Sequence, residues 1–243
     1  MAMGATGNTV ASSRLGRLAR RTASAAQAQA EATQERCDLC DQPIPSQHRH
    51  LLDLSARELK CVCQPCRILF DSGAAGGGHY RLVPDRRLRI EDFELDDPGW
   101  SALRIPVDMA FLFHSTAEDR AVAFYPGAMG ATESLLKLRS WEAIEAANPV
   151  LRGMEPDVEA LLINRARGAR EHWLVPIEDC YALAGLIRTH WKGLTGGKEV
   201  WEEIGRFFEE LGGRASLASR HDGTEEPNAS TAATPGAERS GDG

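Results

Sequence analysis

Residues 36–70, "RCDLCDQPIPSQHRHLLDLSARELKCVCQPCRILF", hold five of the chain's six cysteines. Cys37 and Cys40 form one C-x2-C pair and Cys63 and Cys66 a second, with 22 residues between the inner cysteines. A turn of this spacing aims two thiolates at one ion, and two such turns complete a tetrahedron. The pattern predicts a small zinc-ribbon or rubredoxin-like module over 35–70, with the two knuckles at separate hairpin tips. A segment of about 35 residues cannot bury enough apolar surface to fold unaided, so bound metal is expected to supply folding free energy. Four thiolates fill the tetrahedron, which makes the expected site closed and structural.

Zinc is the expected metal, with iron the alternative. Rubredoxin knuckles place Gly after the second cysteine so that the backbone approaches sulfur closely; here Asp41 and Arg67 stand there. Cys61, in "CVC", is the spare thiol: a half-buried strand residue beside the knuckle, a substitute ligand, or a redox-active group. His48 and His50 lie between the pairs and are candidates for an additional ligand or for hydrogen bonds around the metal. The stretch "HRHLLDL" is similar to HNH-type nucleases, which also place a histidine after a first C-x2-C. The similarity ends there, since no Asn follows suitably and "RILF" after Cys66 offers no terminal histidine. A zinc-dependent HNH-like hydrolase is therefore the third reading, and it needs an open coordination position that four cysteines would fill.

Outside this stretch the chain reads as an ordinary globular protein of 243 residues, 26% charged and 42% hydrophobic. A net charge of −7 gives no basic surface for phosphates, so nucleic acid is not an expected partner. No apolar run reaches the roughly 20 residues of a membrane span. Arg20 and Arg21 form a twin arginine, but no apolar segment follows as in a signal peptide. A cytoplasmic location is expected, where C-x2-C pairs more often serve as metal or redox sites than as disulfides. Residues 1–34 are read as a disordered arm and 213–243 as a disordered tail, both poor in core-forming side chains. Residues 71–78 are read as a glycine-rich hinge, because no Gly-Lys-Ser/Thr follows to make a phosphate loop.

Residues 79–212 form the predicted body. "IPVDMAFLFHS" and "RAVAFYPG" read as a hairpin, and "DVEALLINRA" with "EHWLVPI" as a second, the first of these also being compatible with a helix. "TESLLKLRSWEAIEAAN" reads as a helix capped by Thr132, placing Leu135, Leu136, Leu138, Trp141 and Ile144 at mostly helical spacing. Two further helices are predicted, one over "IEDCYALAGLIRTHWKGLTGG" and ending at its glycines, and one with a stripe of Val200, Trp201, Ile204, Phe207, Phe208 and Leu211. Antiparallel hairpins and C-terminal helices without βαβ alternation give an α+β class, with a faint hint of a duplicated ββα unit. No catalytic set emerges: Cys180 reads as a small core residue, Asp157 and Glu159 as exposed carboxylates, and Ser134 lacks a nucleophile elbow.

Taken together, "CDLCDQPIPSQHRHLLDL", "CVCQPCRILF", "AFYPGAMGATESLL", "PDVEALLINR" and "IEDCYALAGLIRTHWKGLTGG" resemble an uncharacterised actinobacterial family over about residues 35–212. Its members are encoded near high-affinity, oxygen-tolerant nickel–iron uptake hydrogenases. The resemblance implies an accessory protein in maturation, assembly or electron transfer, with hydrogenase subunits or maturation factors as partners. It brings no catalytic residues. Rubredoxin-like proteins accompany such hydrogenases, which gives iron more weight, although Asp41 and Arg67 keep zinc first.

Overall fold

The computed structural model describes residues 34–71, 75–134, 139–193 and 195–222. The chain divides into two compact units, one ending at Val83 and one beginning at Pro84. The expected arm, apart from Gln34, and the tail from 223 onward lie outside the described residues, as do Leu135, Leu136 and Leu138.

In the first unit, Cys37 and Cys40 sit on a tight loop closed by an antiparallel bridge between Arg36 and Pro43. Strands β1 (Arg49–Asp53) and β2 (Glu58–Val62) form an antiparallel hairpin. Its turn is stabilised by the Asp53 carboxylate, which accepts hydrogen bonds from the Ser55 and Ala56 amides at 3.0 Å each. Helix α1 (Gln64–Asp71) follows at once, and the Arg67 amide donates to the Cys63 carbonyl at 2.9 Å. Pro65 lies in the first turn, where a missing N–H breaks no helical bond. The second cysteine pair thus opens a helix, not the expected second hairpin tip. Helical spacing brings Cys63 and Cys66 to one side of the first turn as effectively as a knuckle does.

The expected boundary also shifts. Strand β3 (Tyr80–Leu82) pairs with β1, so residues 79–83 complete the first unit's three-stranded sheet, order β2-β1-β3, and do not open the body. Tyr80 and Leu82 pack on the core of this unit, and Phe70 meets Tyr80 edge-on at 5.4 Å. The glycines read as a hinge include a short 3-10 turn, Ala75–Gly78.

In the second unit, seven strands form one sheet among the described residues, in the order β10-β4-β9-β8-β5-β6-β7. They are β4 (Leu88–Ile90), β5 (Met109–Ser115), β6 (Arg120–Gly127), β7 (Gly130–Ser134), β8 (Glu159–Asn164), β9 (Glu171–Pro176) and β10 (Ser216–Ala218). All neighbours are antiparallel except β10 and β4. The helices are α2 (Asp97–Ala102), α3 (Arg139–Ala147), α4 (Ile177–His190) and α5 (Gly197–Arg214). The α+β class therefore holds.

The central strands read as continuous apolar runs because both sheet faces are covered. Every residue of β8 is buried. Ala110, Leu112, Leu161, Ile163 and Leu174 face a core that includes Trp141 and Ile144 of α3. On the opposite face Phe111 meets Tyr181 of α4, and Trp173 meets Phe208 of α5. Of the stripe predicted on α5, Val200, Ile204, Phe208 and Leu211 are buried, whereas Trp201 and Phe207 are half-buried.

Several local expectations are corrected. Thr132 caps no helix; it lies in β7 opposite Tyr125, and α3 begins at Arg139. Gly127 and Gly130 close this hairpin, Gly130 at φ +98, and ladder pairing along β6 outweighs the local helical spacing. Helix α4 stops at His190, before its glycines, with Trp191 already extended. Residues 216–222, read as part of a disordered tail, instead add β10 and a turn in which Arg220 reaches Asp92 and Glu94.

Glu159 and Asp157, read as exposed, are 1% and 7% exposed. Arg86 donates to Glu159 through Nε at 2.9 Å and Nη2 at 2.5 Å, while Asp157 accepts from the Thr116 amide and hydroxyl at 2.9 and 2.7 Å. Arg87 makes a second two-pronged pair, with Asp179, at 2.6 and 3.1 Å.

His172 stacks on Phe93 at 4.4 Å. Burial, and then the neighbouring Arg165 and Arg170, lower its pKa from 6.5 to about 4. The unfolded chain takes up this proton below about 6.5 and the native chain only near 4, so stability from this residue is full above 6.5 and declines as pH falls towards 4. The loss should approach about 3 kcal/mol. His172→Phe, which keeps the stacked ring, is expected to flatten the body's urea midpoint between pH 6.5 and 4; an unchanged pH profile would assign the acid sensitivity elsewhere.

Candidate metal centre

Cys37, Cys40, Cys63 and Cys66 each bring a Sγ to within 4.8 Å of the other three. Cys40 Sγ lies 3.6 Å from Cys63 Sγ. That is far beyond a disulfide bond of about 2.05 Å and close to the roughly 3.8 Å edge of a tetrahedron with metal–sulfur bonds near 2.3 Å. The four cysteines selected by spacing are thus clustered at metal-binding distance.

The local backbone explains the clustering. The Cys37 amide donates to the Gln42 carbonyl and the Asp41 amide to the Cys37 carbonyl, each at 2.8 Å. Asp41 adopts φ +61, the left-handed conformation that Gly would take after the second cysteine. Asp is one of the few non-glycine residues that visit this region readily, so the first loop keeps the fold of a Gly-bearing knuckle. Asp38 then locks this loop to β2: its amide donates to the Cys61 carbonyl at 2.9 Å, and its carboxylate accepts from the Cys61 amide at 2.6 Å.

The electrostatics call for a cation. Burial disfavours a Cys37 thiolate, but backbone donors of Cys63, Leu39 and Cys40 outweigh it and lower the pKa from 9.0 to about 6. Cys66 moves the other way, pushed well above the ordinary thiol range by burial and by the sulfurs of Cys40, Cys63 and Cys37. The Cys37 thiolate forms easily, and ionisation of Cys66 is opposed by its burial and its sulfur neighbours. A dication removes that opposition, and with it bound all four can ionise.

Cys61 is half-buried on β2, directly opposite His50 on β1. His48 Nδ1 lies 2.9 Å from the Pro45 carbonyl oxygen. Neither histidine belongs to the four-cysteine cluster; His48, His50 and Cys61 form a separate group whose donor atoms lie within 4.8 Å of one another. Sequence spacing did not reveal this grouping, although the i, i+2 histidines at the start of β1 were its available signal.

Among its described residues the body offers no comparable centre. Cys180 is fully buried in α4, and burial followed by the charge of Asp179 raises its pKa well above 9.0. A cleft of about 590 Å³ is lined by Arg89, Arg167, Trp173, Trp201 and Phe208 among others, with Arg89 over the Trp173 ring and Arg167 over that of Trp201. A second cleft, of about 460 Å³, is lined by His114, Arg120, Glu142 and Glu145 among others; among the described residues neither cleft has a Ser, Thr or Cys nucleophile in its lining. No described helix is long and apolar enough to cross a membrane.

Residues 36–215 match the model of DUF5947, a family of unknown function. No curated protein and no solved structure matches the chain.

Proposed function

The chain belongs to the DUF5947 family, and we propose that it is a non-enzymatic accessory protein whose first unit is held together by Zn²⁺ at Cys37, Cys40, Cys63 and Cys66. The observation that carries this reading is the convergence of four Sγ atoms from a loop and a helix start around a core too small to fold alone. A centre filled by four thiolates has no position for substrate, so its role is to shape a surface for a protein partner. The resemblance to proteins encoded near nickel–iron uptake hydrogenases supports an actinobacterial, cytoplasmic setting and a role in hydrogenase maturation, assembly or electron transfer, with hydrogenase subunits or maturation factors as partners.

Iron at the same four cysteines, giving a rubredoxin-like electron carrier, is the second reading. The left-handed Asp41 and the backbone donors to Cys37 favour it, since amide hydrogen bonds to sulfur also tune an iron centre. Protein purified without oxygen is expected to contain zinc and to lack thiolate-to-iron absorption in the visible; iron with such absorption would replace the zinc reading. Co-purification with hydrogenase subunits is the expected partner result. Unaltered hydrogenase assembly in a deletion strain would refute the accessory role.

A further inference from the structure

We propose that His48, His50 and Cys61 form a second metal site, distinct from the four-cysteine centre, which binds a borderline dication such as Zn²⁺ and leaves one coordination position exchangeable. The two sets share no residue, and within each the donor atoms lie within 4.8 Å of one another. The hairpin builds the second set. His48, just before β1, meets the His50 ring edge-on with centroids 4.7 Å apart, and Cys61 is the cross-strand neighbour of His50.

His48 supplies the independent sign of a ligand. Its side chain is only 8% exposed. Nδ1 faces the Pro45 carbonyl oxygen at 2.9 Å, with the Glu35 carboxylate at 3.4 Å, so Nδ1 carries the proton and donates it. That tautomer leaves the lone pair on Nε2, which is buried without a hydrogen-bond partner among the described residues. Burying an acceptor unsatisfied is costly, and a metal ion satisfies it. Histidine ligands are commonly held in this way, one ring nitrogen on a carbonyl or carboxylate and the other on the metal. The backbone of Cys61 is fixed by its two bonds to Asp38, so the third donor is placed with comparable rigidity.

Tetrahedral zinc with metal–nitrogen bonds of about 2.0–2.1 Å and a metal–sulfur bond of about 2.3 Å needs donor separations of roughly 3.3–3.6 Å. Donor atoms within 4.8 Å of one another would therefore draw together by small side-chain rotations on binding. Two neutral imidazoles and one thiolate neutralise half of a dication's charge, and three protein ligands leave the fourth position to water or an added anion. The four-cysteine centre has no such position, so this second site is where the protein can take up a small exogenous ligand.

The test uses the full chain, stripped of metal and titrated with Co²⁺ without oxygen. The wild type is expected to bind two equivalents: one with the intense charge-transfer absorption of four thiolates, the other with the weaker absorption of one. The doubly substituted His50→Ala, Cys61→Ser protein should stop at one equivalent while keeping the four-thiolate spectrum, which also shows that the first unit has folded. Azide should perturb the one-thiolate spectrum alone. A single equivalent with the four-thiolate spectrum in the wild type, two in the variant, or no response to azide would overturn the site as described. Histidine ring 15N shifts of the wild type on Zn²⁺ addition give a readout without substitution: His48 Nε2 must move, and its failure to do so also refutes the site. Loss of the four-thiolate signal alone would count against the proposed structural centre and not against this one.

Discussion

Cys66→Ser is expected to abolish metal binding at the four-cysteine centre and to unfold residues 34–83, while the body remains folded. The buried cluster of this unit comprises Ile44, Leu51 and Val62 together with two of the cysteines, Cys37 and Cys66. Leu52 and Val83 are buried as well, but so few aliphatic side chains make too small a core to hold the unit without metal. Structural zinc binds only the folded unit and contributes about 10–16 kcal/mol at neutral pH. Loss of one thiolate also leaves three sulfurs without a closed coordination shell. Amide hydrogen exchange in residues 34–83 should become unprotected in the variant and in chelator-treated wild type. All five tryptophans lie at or beyond residue 100, so tryptophan fluorescence reports the body and should scarcely change. Persistent protection of β1 and β2 after complete metal removal would show that the metal is not what holds the unit.

Arg86→Ala should be the most damaging single substitution in the body outside its apolar core. Glu159 is 1% exposed, and apart from Arg86 it accepts a bond from the Glu155 amide at 2.8 Å. Removing the guanidinium leaves a carboxylate buried without its counter-ion, a change that typically costs 3–5 kcal/mol. The effect should fall near the lower bound, about 3 kcal/mol, because the Arg86 side chain is 41% exposed and its loss opens a path for water. That is a large share of a typical domain stability of about 5–15 kcal/mol. Urea denaturation followed by tryptophan fluorescence measures it. The paired replacement Arg86→Met with Glu159→Leu should recover most of the loss, since an apolar pair of similar volume needs no charge compensation. A loss below about 1 kcal/mol for Arg86→Ala alone would mean that Glu159 rehydrates, and the recovery would then not be seen.

Much of the body was legible because its strands and helices follow their own periodicity. The runs "MAFLFHS" and "EALLIN" are apolar enough to place a buried sheet, and the stripe from Val200 to Leu211 could face only a core. Misreadings arose where a distant partner decides the local state. "TESLL" carries helical spacing, yet Gly127 and Gly130 return Thr132 to pair with Tyr125. "SLA" near the C-terminus has no strand signal of its own, and pairing with Leu88–Ile90 makes it one. Glu159 and Asp157 look solvated until Arg86 and Thr116 reach them across the fold.

The candidate metal centre divides in the same way. Sequence alone determined which four cysteines cluster, because C-x2-C is a local geometry: the turn or helix start that brings two thiolates together spans only four residues. The fifth thiol and the two histidines had no such local rule. Their grouping depends on the β1–β2 register, which sets Cys61 opposite His50, and on the Pro45 carbonyl, which turns the His48 ring. The register is set by pairing across the hairpin and the ring by how the loop before β1 folds back on itself, and neither follows from a spacing rule, so only the tertiary structure decides them.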